Sequence, residues 1–207
     1  MPFELWLSFF FVTLVAVFSP GPAVLLAVTH GAQVGAKRAA VPILGNVTGL
    51  AIIITASAVG IGSVLQASSD LFFWLKIVGG LYLIFLGIKL LRSGFKAEAF
   101  ATDGPVVSAS LGKTYLQGIG VALSNPKALL LIGAMFSQFL DVSQPLTPQL
   151  MILGLTLMTL SFSALMIYAT VSKKLISKSR KAVFGRVNKI TGTLFVLFGV
   201  ALAAGSR

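Results

Sequence analysis

The chain has 207 residues, of which 57% are hydrophobic and 10% are charged, and its mean hydropathy is +0.98. Soluble domains carry about 25% charged residues, so the composition excludes a water-soluble protein and indicates one membrane domain over residues 1–207. Cysteine is absent and histidine occurs once, which excludes disulfides, thiolate chemistry and a histidine-rich metal site. No metal or cofactor is therefore expected.

Six apolar segments follow one another along the chain, and each is long enough to cross a bilayer as a helix of roughly 20 residues. These predicted spans cover residues 5–28, 41–65, 71–91, 115–140, 150–171 and 187–204. Backbone hydrogen bonds must be closed within lipid, so the predicted fold is an all-α membrane protein with six transmembrane helices. Span 1 lacks a basic start and is long for a signal peptide, and we expect it to be retained.

Most of the 16 Lys and Arg residues lie in the segments that follow spans 1, 3 and 5. Under the positive-inside rule these segments face the cytoplasm and both termini lie outside, with Trp6 and Trp74 near the outer interface. The net charge of +11 thus indicates topology and contact with anionic lipid headgroups. Nucleic-acid binding would need a basic face with base-reading elements, and no such partner is expected.

Spans 1 and 4 share a polar motif around proline. Residues 19–23 read Ser-Pro-Gly-Pro-Ala and residues 124–128 read Ser-Asn-Pro-Lys-Ala, and aligning Pro22 with Pro126 also aligns the leucines that follow. Each span is the first of three, so halves of about 1–95 and 110–207, joined by a basic loop at 89–114, would be antiparallel in the membrane. The sequence therefore predicts the inverted 3+3 repeat that is common in secondary transporters.

The prolines also predict that spans 1 and 4 are broken inside the membrane, because proline lacks an N–H and clashes with the carbonyl four residues earlier. We expect Ser19 and Asn125 to cap half-helices that have proline in their first turn. Half-helix N termini favour a carboxylate, and the freed carbonyls would accept from an ammonium, so the pair suits a zwitterionic amino acid. The alternative is that each proline merely kinks its helix.

Two further polar residues lie in the spans. Lys127 is near mid-membrane, where an isolated charge costs several kcal/mol, so it should face a cavity, bind a carboxylate or titrate; a structural pairing is the alternative. Asn46 is equally suited to helix packing and to substrate contact, whereas Gly45 and Gly49 favour close packing. Lys76, near the outer end of span 3, is explained by snorkelling.

The remaining alternatives are a channel and a membrane-embedded hydrolase, with Ser19 or Ser124 as nucleophile and His30 as the only histidine base. No Asp or Glu lies deep in a span, which disfavours a metal-ion transporter and leaves the coupling ion open. The candidate substrate-binding residues are Ser19, Pro20, Gly21, Pro22, Asn46, Ser124, Asn125, Pro126 and Lys127.

Four features together resemble the LysE/RhtB family of amino-acid exporters, closest to its homoserine/threonine type. They are the Ser-Pro-Gly-Pro motif at 19–22, the glycines that follow it, the glycine-rich pattern at 76–92 and the Asn-Pro-Lys motif at 125–127. The resemblance covers nearly the whole chain. It implies a multi-pass protein of the bacterial inner membrane that is not an enzyme and that exports small amino acids or derivatives, driven by the proton gradient as an antiporter.

Two positions depart from the family pattern. Ser137 stands where many relatives have proline, and Ser161 stands where some have an acidic residue, which removes an obvious proton carrier. The glycine-rich helix faces are also compatible with a homodimer. The sequence does not specify which amino acid is carried.

Overall fold

The computed structural model describes residues 1–67, 69–92, 110–141, 143–175, 189–190, 192–197 and 199–200. Within these residues the regular structure is entirely helical, as predicted. The helices are α1 (Phe3–Phe18), α2 (Pro22–Val34), α3 (Ala36–Ala67), α4 (Ser69–Arg92), α5 (Leu111–Leu123), α6 (Pro126–Gln138) and α7 (Leu146–Leu175). Residues 189–190, 192–197 and 199–200 are also helical and form the C-terminal helical segment.

Several predicted features fall partly outside the described residues. The basic loop at 89–114 is described at 89–92 and 110–114 only, and the basic segment that follows span 5 is described up to Leu175. The side chain of Lys76 and the end of span 6 also lie outside them.

Two of the described helices are long and apolar enough to cross a membrane, at Ala36–Gly60 and Leu146–Ser172. The number rises to four if each of two bent pairs is counted as one span. The axes of α1 and α2 meet at 56°, and those of α5 and α6 meet at 61°. The predicted total of six spans, and their arrangement as an inverted repeat, stay predictions.

Proline sets the position of both bends. Helix α1 ends at Phe18, and α2 begins at Pro22 after extended backbone at Ser19 and Gly21. Helix α5 ends at Leu123, and α6 begins with Pro126 as its first residue. Since proline has no N–H to donate, it ends the incoming helix and is accepted at the start of the next. We refer to residues 19–21 as the first break and to residues 124–125 as the second break.

Glycines bring helices into backbone contact in the α3–α5 and α2–α7 pairs, and also where α4 meets the C-terminal helical segment. In the α3–α5 seam, a methyl group on Gly118 would collide with the carbonyl of Pro42, and one on Gly45 would collide with the backbone of Tyr115. In the α2–α7 seam, a methyl group on Gly31 would collide with the backbone of Ala169. The close-packing interpretation of Gly45 is thus confirmed, and Gly49, which lies against Ala122, belongs to the same seam.

The other arms of the broken helices pack through large side chains. Phe9 of α1 lies edge-on to Phe136 and Phe139, with ring centroids 6.0 and 5.4 Å apart. Trp6 donates its indole N–H to the hydroxyl of Thr156 on α7 at 3.1 Å. Aromatic edge contacts of this kind add to simple area burial. Each broken helix therefore has one arm fixed by a glycine seam and one arm fixed by side-chain packing.

The turn between α6 and α7 is held by Gln149, which is buried. Its amide nitrogen donates to the Asp141 carbonyl at 2.8 Å, and its side-chain oxygen accepts from the Asp141 N–H at 2.9 Å. The hydroxyl and N–H of Ser143 both donate to the Asp141 carboxylate, and these bonds lower the pKa of that group. Hydrogen bonds to the ionised form favour it, so Asp141 stays charged at the end of the helix pair.

Candidate functional site

A cavity of about 70 Å³ lies between the two breaks. A single water needs about 10–15 Å³ on the same scale, so the cavity has room for several waters or a small ligand. Both breaks and helix α3 contribute polar groups to it. The polar lining residues are Ser19, Asn46, Asn125, Lys127 and Ser161.

Lys127 connects the second break to the first. It lies in the first turn of α6, and its Nζ donates to the carbonyl oxygens of Ala16 and Ser19, each at 3.0 Å. Its aliphatic stem passes Gly21, whose position would put a Cβ 3.8 Å from the lysine Cδ. Pro20 releases the carbonyl of Ala16, which the sequence assigned to a substrate ammonium, and the lysine side chain takes up this acceptor together with the carbonyl of Ser19.

The second break is capped as predicted. Asn125 is the N-cap of α6, and its side-chain oxygen accepts from the backbone N–H of Lys127 at 3.1 Å. Pro126 occupies the first helical position, where its missing N–H leaves nothing unsatisfied. The asparagine is 6% exposed and lines the cavity. The cap therefore fixes the position from which Lys127 reaches across the site.

The first break differs from the prediction, because Gly21 and not Ser19 is the N-cap of α2. A residue that precedes proline is pushed towards extended backbone. Ser19 and Gly21 both precede prolines, so the helix begins only at Pro22 and the Ser19 side chain does not reach its first turn. Ser19 is 1% exposed and lines the cavity, and its buried hydroxyl has no hydrogen-bond partner within the described structure.

Tyr168 is a contributor that the sequence did not single out. Its hydroxyl donates to the carbonyl of Phe18 at 2.7 Å and so satisfies the other acceptor that the prolines release. The signal that points to it is the phenol in span 5, because a tyrosine hydroxyl inside a membrane needs a partner. The contact joins α7 to the first break.

Asn46 fits both interpretations that the sequence left open. Its side-chain nitrogen donates across the α3–α5 seam to the carbonyl of Gly118 at 3.5 Å, which is a long hydrogen bond. The side chain is 1% exposed and also lines the cavity. It thus lies between the seam and the site.

The remaining candidates apart from Gly21 set or stabilise the backbone of the breaks. The exposed hydroxyl of Ser124 donates to the carbonyl of Gly120 in its own helix at 2.7 Å. Pro20, Pro22 and Pro126 set the backbone geometry of the breaks, whereas Gly21 does line the cavity.

The described residues do not contain the serine–histidine pair that a hydrolase would use. The Ser19 hydroxyl and Nε2 of His30 are both buried without a partner, so they are not bonded to each other. The His30 Nδ1 atom lies 3.0 Å from the carbonyl of Leu26 on its own helix. In the same part of the chain there is no group of three or more residues of the types that hold a metal ion.

Comparison with known proteins places this arrangement among transporters. The sequence model of the family described as "LysE type translocator" matches residues 14–206. The homoserine/homoserine lactone efflux protein of Salmonella typhi is 33% identical over 99% of this chain and 98% of its own length. The leucine efflux protein of Enterobacter sp. (strain 638) is 33% identical over 94% of this chain and 91% of its own length.

The threonine efflux protein of Escherichia coli K12 is 31% identical over 65% of this chain and 66% of its own length. No solved structure matches the chain.

Proposed function

The chain belongs to the LysE type translocator family, as its motifs predicted, and we propose that it exports small neutral amino acids from the cytoplasm. Membership in this family makes it a transporter rather than an enzyme. Relatives named for the efflux of homoserine, threonine and leucine support this substrate class. The structural observation that carries the proposal is the cavity between the two breaks, where a cation, a free hydroxyl and freed carbonyls meet.

The substrate carboxylate binds at the positive side of this cavity. The ammonium of Lys127 and the unpaired hydroxyl of Ser19 are donors there. Ala23 and Ala128 line the cavity from the first turns of α2 and α6, where backbone N–H groups have no acceptor in their own helix. Two half-helix N termini add favourable dipole ends.

The substrate ammonium binds to oxygen acceptors. The carbonyl of Ser19 has a second lone pair beyond the bond to Lys127, whereas that of Ala16 also accepts from the Ser19 N–H at 3.1 Å, and the Asn46 side chain contributes an amide oxygen to the cavity lining. The apolar lining from Leu50, Leu131 and Leu165 suits an uncharged side chain.

The proposed architecture is a six-span inverted repeat with halves of about 1–95 and 110–207 and both termini outside the bacterial inner membrane. Rocking of the halves about the breaks would expose the cavity alternately to the two sides. Ser161 lines the cavity, and no acidic residue of the described part does, so a proton carrier must be sought elsewhere. Export driven by the proton gradient and a homodimer stay predictions.

The test is amino-acid efflux from cells preloaded with dipeptides of homoserine, threonine and leucine. We expect faster export of at least one of them with the protein than without it, and loss of that gain on adding an uncoupler. A passive channel would instead give flux that persists without the gradient.

The matched variants are Lys127→Met, which removes the cation at the cavity, and Lys113→Met, which removes an exposed lysine at the start of α5. Export should be lost in the first variant and kept in the second at equal protein levels. Unchanged export in Lys127→Met would contradict the proposed site.

A further inference from the structure

We infer that Lys127 fixes the charge class of the cargo, so that the site carries amino acids with uncharged side chains and rejects those with a cationic side chain. This inference rests on the proposed function and deepens it. It concerns selection between substrates of equal size and shape.

The charge balance of the cavity is the first step. Among the described residues, the polar lining offers one cation and no carboxylate. Of the five acidic residues in the sequence, Glu4 at the start of α1 and Asp141 in the turn after α6 do not line the cavity. The side chain of Asp70 and the residues Glu98 and Asp103 lie outside the described part of the chain. A zwitterion brings its own carboxylate, whereas a second ammonium would find no acidic partner in this lining.

The position of the cation is the second step. Two carbonyl oxygens at 3.0 Å hold the Lys127 ammonium at the end of α1, where the helix dipole favours positive charge. Its stem is confined beside Gly21. The cation is therefore held at the wall of the cavity by two backbone carbonyls, and a substrate side chain that enters meets its positive charge.

The size of the cavity is the third step. The cavity is small, about 70 Å³, so the charged end of a side chain bound within it lies near Lys127. Water and salt screen like charges poorly in such surroundings, so the repulsion is strong compared with that at a protein surface. The remaining acceptors suffice for one substrate ammonium, and a second one would lack both a counter-ion and hydration.

The test uses two matched pairs of amino acids with the purified full chain in liposomes at about pH 6, where amines are protonated. L-Homoserine and L-2,4-diaminobutyrate differ by a hydroxyl in place of an ammonium. L-Norleucine and L-lysine differ by the terminal ammonium. We expect counterflow of the uncharged member to be at least about tenfold faster in at least one pair.

Two substitutions assign the effect to the charge of Lys127. In Lys127→Gln the counterflow rates of the uncharged and the cationic member of a pair should differ by less than about threefold, because the fixed charge is gone. In Lys127→Arg the preference should persist, because arginine stays protonated. If Lys127→Gln does not fold, the wild-type protein and Lys127→Arg are compared instead, and both should favour the uncharged member of a pair. Thermal stabilisation of each protein by the two members of a pair is the second measurement.

The outcomes separate this inference from the proposed function. Equal counterflow of both members of each pair in the wild-type protein would overturn the inference and leave amino-acid transport standing. A preference that survives in folded Lys127→Gln would also overturn it. If the folded wild-type protein moves neither these compounds nor threonine and leucine, the proposed function fails and the inference falls with it.

Discussion

The two helix breaks satisfy their backbone groups in different ways. At the second break the solution is local, because Asn125 caps α6 and Ser124 bonds back to Gly120. At the first break the solution is remote, because the freed carbonyls accept from Lys127 on α6 and from Tyr168 on α7.

The difference arises from a single feature of sequence. Ser-Pro-Gly-Pro puts one residue before each of two prolines, and both of these residues, Ser19 and Gly21, are extended, so the first break has no side-chain cap. Asn-Pro puts a capping side chain next to the proline. The first break therefore depends on the rest of the fold. It also holds a fully buried hydroxyl, that of Ser19, which lines the cavity and has no partner within the described structure. Matched motifs in the two halves can thus divide structural and binding roles.

The largest effect is expected at the α3–α5 seam, which fixes the arm that precedes the second break. Gly118→Ala would drive a methyl group into the carbonyl of Pro42, and we expect a loss of at least about 3 kcal/mol or failure to fold. Gly120→Ala, two residues along the same helix, meets nothing within 4 Å and should be neutral or stabilising by up to about 1 kcal/mol. Thermal unfolding in detergent measures the stability of both variants. Equal unfolding temperatures for Gly118→Ala and Gly120→Ala would contradict close backbone contact in the α3–α5 seam.

The next effect tests the remote solution at the first break. Tyr168→Phe leaves the Phe18 carbonyl without its partner from α7, at an expected cost of about 1–3 kcal/mol. The control is Tyr115→Phe, which removes a hydroxyl that is bonded to Thr48 at 2.7 Å and should cost about 0.5–1.5 kcal/mol. No loss of stability in Tyr168→Phe would mean that the first break does not depend on α7.

A smaller effect tests the local solution at the second break. Asn125→Ala removes the cap of α6 and should cost about 1 kcal/mol, whereas Asn125→Asp should keep most of the stability. Ser124→Ala is the neighbouring control and should change little, because its exposed hydroxyl bonds only within its own helix. If the two alanine variants unfold at the same temperature, the second break is not held by its cap.

The smallest effect on stability is expected for Ser19→Ala. Its hydroxyl has no partner within the described structure, so the free energy of unfolding should change by less than about 0.5 kcal/mol. Transport should respond more strongly, with KM raised about tenfold, because the substrate carboxylate loses a donor. A drop in stability with unchanged KM would assign the hydroxyl to the fold rather than to the substrate.

Local chemistry made part of this structure predictable. The helical class follows from the long apolar segments, and the positions of both breaks follow from proline, whose effect reaches only four residues back. The Asn125 cap follows from a side chain placed next to the helix it caps. The prediction at Ser19 is wrong because the effect of Pro20 alone would allow a cap there, whereas Pro22 also keeps Gly21 extended and moves the start of the helix to residue 22.

By itself, the sequence determined that this chain is an all-helical protein with two proline breaks, an asparagine cap and a lysine beside the second break. The tertiary structure alone decided what that lysine does, because its acceptors at Ala16 and Ser19 lie 111 and 108 residues away along the chain. Tyr168 reaches Phe18 across 150 residues in the same way. Proline dictates where a carbonyl is released, but only the packing of distant helices decides which donor is within 3 Å of it.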